Sequence, residues 1–99
     1  MDARSDLLNH AGALHAGVQS ALVDTACGYA AGTLAGNVVT VQLGLQFLSS
    51  AKGDRFVARA EVSKAGRTQF FAEARLFAVH DDQEVLVASG TAVLVRVSG

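Results

Sequence analysis

No proline interrupts these 99 residues, and neither a low-complexity linker nor an internal repeat divides them, so nothing marks a boundary within the chain. Residues 1–99 read as a single domain. Charge is scarce as well: 17% of the residues are charged, against 51% apolar. With a net charge of -1, a pI of about 6.2 and no run of Lys or Arg, the chain lacks the electrostatic footprint of a nucleic-acid or membrane-surface protein. Neither is expected as a partner. Cys27 stands alone, which excludes an intrachain disulfide, and MDARSDLL lacks the basic-then-apolar order of a signal peptide. A reducing cytoplasm is the expected compartment. Residues 25 to 51 are free of charge, but Asn37, Gln42, Gln46 and several glycines interrupt them and their periodicity changes midway, so they are not read as a membrane span.

What remains is a large supply of apolar side chains in a small body. A chain of this length buries only about two-thirds of its unfolded surface, so part of the apolar surface is expected to serve an interface between subunits.

Val18, Ala21, Leu22, Thr25 and Tyr29 recur at helical spacing, and small apolar residues fill the other faces, which predicts a helix over 15–31 enclosed on nearly all sides. Gly32 and Gly36 mark its exit. From Asn37 the period falls to two: Val39, Val41, Leu43, Leu45 and Phe47 alternate with Thr40, Gln42, Gly44 and Gln46, predicting a strand with one buried face. The turn SSAKGD follows. A second strand over 55–64 turns Phe56, Ala58, Ala60 and Val62 one way, and Ala65-Gly66-Arg67 makes a tight connection. A third strand spans 68–79, His80-Asp81-Asp82-Gln83 turns, and a fourth spans 84–97, where Gly90 marks a bulge or a close approach. Short connections imply an antiparallel meander, because parallel neighbours need long crossovers. The expected class is α+β, one long helix wrapped by a curved antiparallel sheet.

Between Asp6 and Lys52 the only charged side chain is Asp24, in the middle of the predicted helix. A carboxylate in apolar surroundings costs several kcal/mol unless it is bonded, paired or protonated, so it either satisfies a buried backbone group or has a chemical task. Just ahead of the helix lie Asn9, His15, Ala16 and Gly17, where amide N–H groups lack helical acceptors and the macrodipole is positive. Such donors suit the oxyanion of acyl transfer. Ala16 and Asp24 are eight residues apart, roughly 12 Å along a helix, so one helix cannot bring both to one carbonyl. Two antiparallel helices from a symmetric pair of chains can, which gives two equivalent composite sites. Gly28, one turn after Asp24, would admit the second chain closely, or would ease helix-on-sheet packing.

These residues resemble a family. NHAGALHAGVQSALVDTACG is similar to the motif of hotdog-fold acyl-coenzyme A thioesterases of the phenylacetate-degradation, PaaI-like type, with Asn9, His15, Asp24 and Gly28 matching in type and spacing. LQFLSSAKGD and the closing VLVASGTAVLVRV extend the likeness over nearly the whole chain from Asn9. The resemblance implies a hotdog fold that hydrolyses acyl- or aroyl-coenzyme A, with Asp24 as general base or nucleophile. The N–H of Ala16 and the Asn9 side chain would polarise the carbonyl, and Thr40 would help hold the attacking water or be an ordinary strand residue. His15 would orient the loop or contact Asn9, Gly17 would allow the tight helix entry, and Lys52, Arg55 and Arg67 could meet coenzyme A phosphates. No metal and no cofactor beyond the substrate's own coenzyme A is implied. A homodimer is expected, with further pairing into a homotetramer. Two departures stand out: His-Ala-Gly replaces the commoner His-Gly-Gly, and the chain begins only eight residues before Asn9, short at the N-terminus by comparison with relatives.

Other motifs fail. Gly12 to Gly17 has the glycine spacing of a phosphate loop without its Lys-Ser or Lys-Thr, and His10 and His15 lack the HExxH pattern of a metal site. Cys27, three residues from Asp24, reads as a buried small hydrophobe. Two further functions share the fold. A hydratase or dehydratase needs a His near the acidic residue, and none lies within 25–29; a non-catalytic acyl-coenzyme A binder would use the same pocket without turnover.

Overall fold

The computed structural model describes residues 1, 2, 4, 8 and 12–97. Helix α1 (Ala16–Ala35) is followed by strands β1 (Val38–Phe47), β2 (Arg55–Ala65), β3 (Gln69–His80) and β4 (Gln83–Arg96). The helix runs past Gly32 and stops at Gly36, whose φ of 78° is open to glycine; from there its N–H donates to the Gly32 carbonyl. One stripe of α1 is buried, made by Gln19, Val23, Cys27 and Ala31 at intervals of four. The opposite side is open in the single chain, with Tyr29 76% exposed and Ala21 and Thr25 exposed beside it. The expected enclosure on nearly all sides is therefore not supplied by the chain itself.

All four strands are antiparallel to their neighbours, but the sheet order is β1-β4-β3-β2, not the order of a simple meander. Residues 48–54 cause the difference. They cross the ends of β4 and β3, with Leu48 N–H donating to the Val87 carbonyl and Asp54 N–H to that of Val79, and so carry the chain from one edge of the sheet to the other. Seven residues reach about 23 Å when extended, enough to step over two strands spaced about 4.8 Å apart. The other two connections are hairpins as expected. The β3–β4 turn has positive φ at both Asp81 (48°) and Asp82 (64°), the geometry that matches strand twist in a two-residue loop.

Phe56, Phe70, Leu76 and Leu94 on the sheet pack with Val23 and Cys27 of α1 in the core. Gly90 lets the helix this close: a Cβ there would sit 2.8 Å from Val23 Cγ1 and 2.9 Å from the Gly44 carbonyl oxygen. Of the two roles expected for Gly90, close approach is the one observed. The register shifts once in each strand pair, at Val41, Ser63 and Val87, and three such bulges bend the sheet around α1. No helix among the described residues is long and apolar enough to cross a membrane.

Candidate active site

The bulge at Val41 decides which side chains of β1 face the helix. Thr40 lies opposite Leu94 and Leu43 opposite Ala92, with Val41 left over between them. A strict alternation would have put Thr40 on the sheet's outer side, since Leu43 and Leu45 pack into the core. The extra residue reverses the parity, so Thr40 points at α1 and donates its hydroxyl proton to Asp24 Oδ1 at 2.7 Å. Val39 is correspondingly turned outward and is 46% exposed, a correction to the reading that placed it on the buried face with Leu43.

Asp24 is half-buried in the single chain, on the flank of α1 rather than deep in an apolar interior. Its nearest titratable neighbour on the helix is Cys27, which is fully buried. Burial, and secondarily the Asp24 carboxylate, push the Cys27 thiol up, so it stays protonated and apolar rather than serving as a nucleophile.

At the start of the helix, His15 occupies the N-cap position without a side-chain cap, and no acidic residue sits in the first turn. The first amide with a helical acceptor is that of Gln19, bonded to the His15 carbonyl at 3.0 Å. The N–H groups of Ala16, Gly17 and Val18 are therefore left to outside acceptors, in the positive end of the macrodipole. Ala16, Gly17 and His15 are all exposed there. Asn9 lies outside the described residues.

The sequence does not single out Gln19, yet it supports this end of the helix. Its side chain is buried, and Nε2 donates to the Leu14 carbonyl at 2.9 Å while Leu14 N–H donates to the Ala51 carbonyl at 2.9 Å. The peptide before His15 is thus held on both sides, once by the helix and once by the 48–54 crossing. The signal is a polar residue one turn before Val23 in the buried stripe. Gln19 Oε1 has no partner among the described residues.

The remaining expected residues are spread out. Gly28 does not serve helix-on-sheet packing, because a Cβ there would meet nothing within 4 Å among the described residues. Lys52 lies on the crossing beside Ala51, near the helix start, whereas Arg67 sits in the β2–β3 turn at the other end of β2. Eleven strand residues, about 35 Å, separate the two ends, so one protomer does not bring Lys52 and Arg67 together. Among the described residues, the one grouping of metal-ligating side chains is Asp54, His80 and Asp81, all exposed, with ligand atoms within 4.8 Å of one another. His80 Nδ1 already lies 2.8 Å from Asp54 Oδ2, which ties the β3–β4 turn to the start of β2.

Residues 11–85 match the Thioesterase superfamily. The whole chain superposes on a thioesterase family protein from Silicibacter pomeroyi with a TM-score of 0.96 and 42% identity, covering 75% of that chain. It also superposes on a Bacillus halodurans protein solved with coenzyme A (TM-score 0.86, 23% identity, 96% of this chain and 67% of that one). Against the Escherichia coli PaaI protein of the phenylacetic acid degradation operon the TM-score is 0.88 at 24% identity, over 100% of this chain and 70% of that one. At such identities the last two show a shared fold alone. No curated protein is similar enough to match. The family match and the Silicibacter relative place this chain in the thioesterase superfamily, with its hotdog fold of one helix against a curved four-stranded antiparallel sheet.

Proposed function

We propose that this chain hydrolyses acyl- or aroyl-coenzyme A thioesters, as a PaaI-like homodimer in which Asp24 of one protomer works on a carbonyl held at the helix start of the other. The observation that carries this reading is the Thr40 hydroxyl bonded to Asp24 at 2.7 Å. A hydroxyl has one proton and two lone pairs; with the proton committed to Asp24, a lone pair is left to accept from water. A water so held has its oxygen free to attack the thioester carbon while Asp24 takes its other proton. The carbonyl oxygen gains charge against the Ala16 N–H, with Asn9 as second donor, and collapse expels the coenzyme A thiolate, which recovers the proton from Asp24.

Two features support the shared site. The unbroken helix keeps Ala16 and Asp24 roughly 12 Å apart within one chain. Gly28 leaves open space beside Asp24 that nothing among the described residues fills, and Tyr29 stands exposed next to it. An antiparallel second helix would fill that space. It would also carry the partner's Arg67 to the end where Lys52 lies, so both cations could serve one coenzyme. Bound coenzyme A in the Bacillus halodurans relative agrees with that ligand class. A reducing cytoplasm suits the free thiol of Cys27.

The test is release of free thiol from short aliphatic, long aliphatic and aromatic acyl-coenzyme A substrates by the purified protein. Asp24→Asn keeps an acceptor for Thr40 but removes the base, and kcat is expected to fall about 10²- to 10⁴-fold with KM little changed. Equal, negligible hydrolysis by both forms, with coenzyme A thioesters still bound, would establish a non-catalytic binder instead.

A further inference from the structure

The two flanks of α1 differ. On one, Asp24 meets Thr40 of β1; on the other, an apolar groove runs between α1 and β2. The groove encloses about 740 Å³, within the roughly 300–1,000 Å³ usual for small-molecule sites. Val18, Leu22, Ala26 and Ala30, at intervals of four, form its α1 wall, and Phe56 and Ala58, two apart, belong to its β2 wall. Each wall therefore follows the period of its own element, and the side chains stand in straight rows. No charged side chain lines the groove among the described residues, and the exposed Tyr29 stands along it.

Its place and length decide what it can hold. The groove opens at Val18, two residues after Ala16, whose N–H is free for the carbonyl of the proposed reaction. From Val18 to Thr33 it follows fifteen residues of α1, about 22 Å at 1.5 Å each. Carbon–carbon bonds of about 1.5 Å advance an extended hydrocarbon by roughly 1.25 Å per carbon, so about 17 carbons cover that length. A single aromatic ring would occupy only the first stretch. We infer that the groove takes the tail of a straight fatty acyl chain of about 14–18 carbons, which narrows the substrate to long-chain acyl-coenzyme A thioesters. The position of the carbonyl at Ala16 rests on the proposed reaction, whereas the affinity of the groove for an alkyl chain does not depend on the chemistry at Asp24.

The test is calorimetric binding of S-alkyl coenzyme A thioethers from butyl to octadecyl, below their micelle-forming concentrations; they lack the reacting carbonyl and are not hydrolysed. Affinity for the wild type is expected to rise about twofold per methylene, less than full enclosure would give because the groove is open on one side, and to level off near hexadecyl. Ala26→Phe, about 12 Å beyond Val18, should lower that limit to about 10 carbons, and Ala30→Phe, about 18 Å beyond it, to about 14. Butyl affinity should match the wild type in both, and a misfolded protein would not yield two limits in that order. Wild-type affinity that is flat with chain length, or substitutions that leave the limit in place, overturns the inference. Thiol release is read separately: length-dependent thioether binding without turnover of hexadecanoyl-coenzyme A refutes the hydrolase and leaves the groove, whereas turnover of short or aromatic thioesters with flat thioether binding does the reverse.

Discussion

Replacing Ala16 by proline removes one atom of interest and almost nothing else. Ala16 is the first residue of α1, where the helix uses no N–H and where proline's fixed φ is already suitable. Proline also restricts the residue before it to extended conformations, and His15 has φ of -57° and ψ of 142°, within that range. Ala16 is exposed, so the ring meets no packed core. Stability should hold or rise by about 0.4–1 kcal/mol through a less disordered unfolded state. If the Ala16 N–H receives the developing oxyanion, its loss costs about 2.7–4 kcal/mol of transition-state stabilisation, or 10²- to 10³-fold in kcat. Steady-state thiol release beside a urea unfolding curve reads both quantities. Mixing the variant with Asp24→Asn chains then asks where the site lies: random dimers each regain one intact composite site in half of the population, about a quarter of wild-type activity. A proline variant with unchanged kcat would refute the oxyanion assignment, and mixtures with no regained activity would confine the site to one chain.

Three other perturbations follow from the geometry. Thr40→Val keeps the shape but deletes the bond to Asp24; because Thr40 is exposed in the single chain, the lower end for a charged hydrogen bond applies, about 1.5 kcal/mol or tenfold in kcat, with an unfolding midpoint close to wild type. Gly90→Ala would press a methyl against Val23 and the Gly44 carbonyl, and an overpacked core loses about 1–3 kcal/mol; an unshifted midpoint in urea would contradict the close approach. Because burial raises the Cys27 thiol above its ordinary 9.0, its contribution to stability is complete below that pH and is lost as pH rises through the higher folded value, the unfolded chain ionising first. Cys27→Ala should remove that alkaline fall in a pH series of unfolding curves, and an identical fall in the variant would assign it to another group.

The helix and four strands were legible because their periods differ and their turns carry glycine or Asp-Asp, and their ends were placed within a few residues. The order of strands was not, because a short segment between two strands looks like a hairpin whether or not it steps over its neighbours; only the bonds from residues 48 and 54 to β4 and β3 distinguish the two. Within the candidate site, Asp24 stood out through the charge vacancy around it. Thr40 was reached only by family resemblance, and its own alternation pointed the wrong way. Apolar residues at 39 and 41 continued the pattern of 43 and 45, so the register shift left no trace in composition. Gln19 was hidden by its ordinary polarity in a helix whose faces are hard to tell apart when so many residues are small.

The extra residue in β1 also implies how easily this scaffold could change occupation. Drawing Val41 into the ladder, a slip of one residue upstream of it, would restore an even pleat, and since Leu43 and Leu45 anchor the downstream half, the upstream half would have to roll over. Val39 would then look toward the carboxylate while the threonine hydroxyl swung out to solvent. Such a slip would spare the fold but strip the acid of its companion, turning a candidate hydrolase toward mere retention of thioesters with the chain length unchanged.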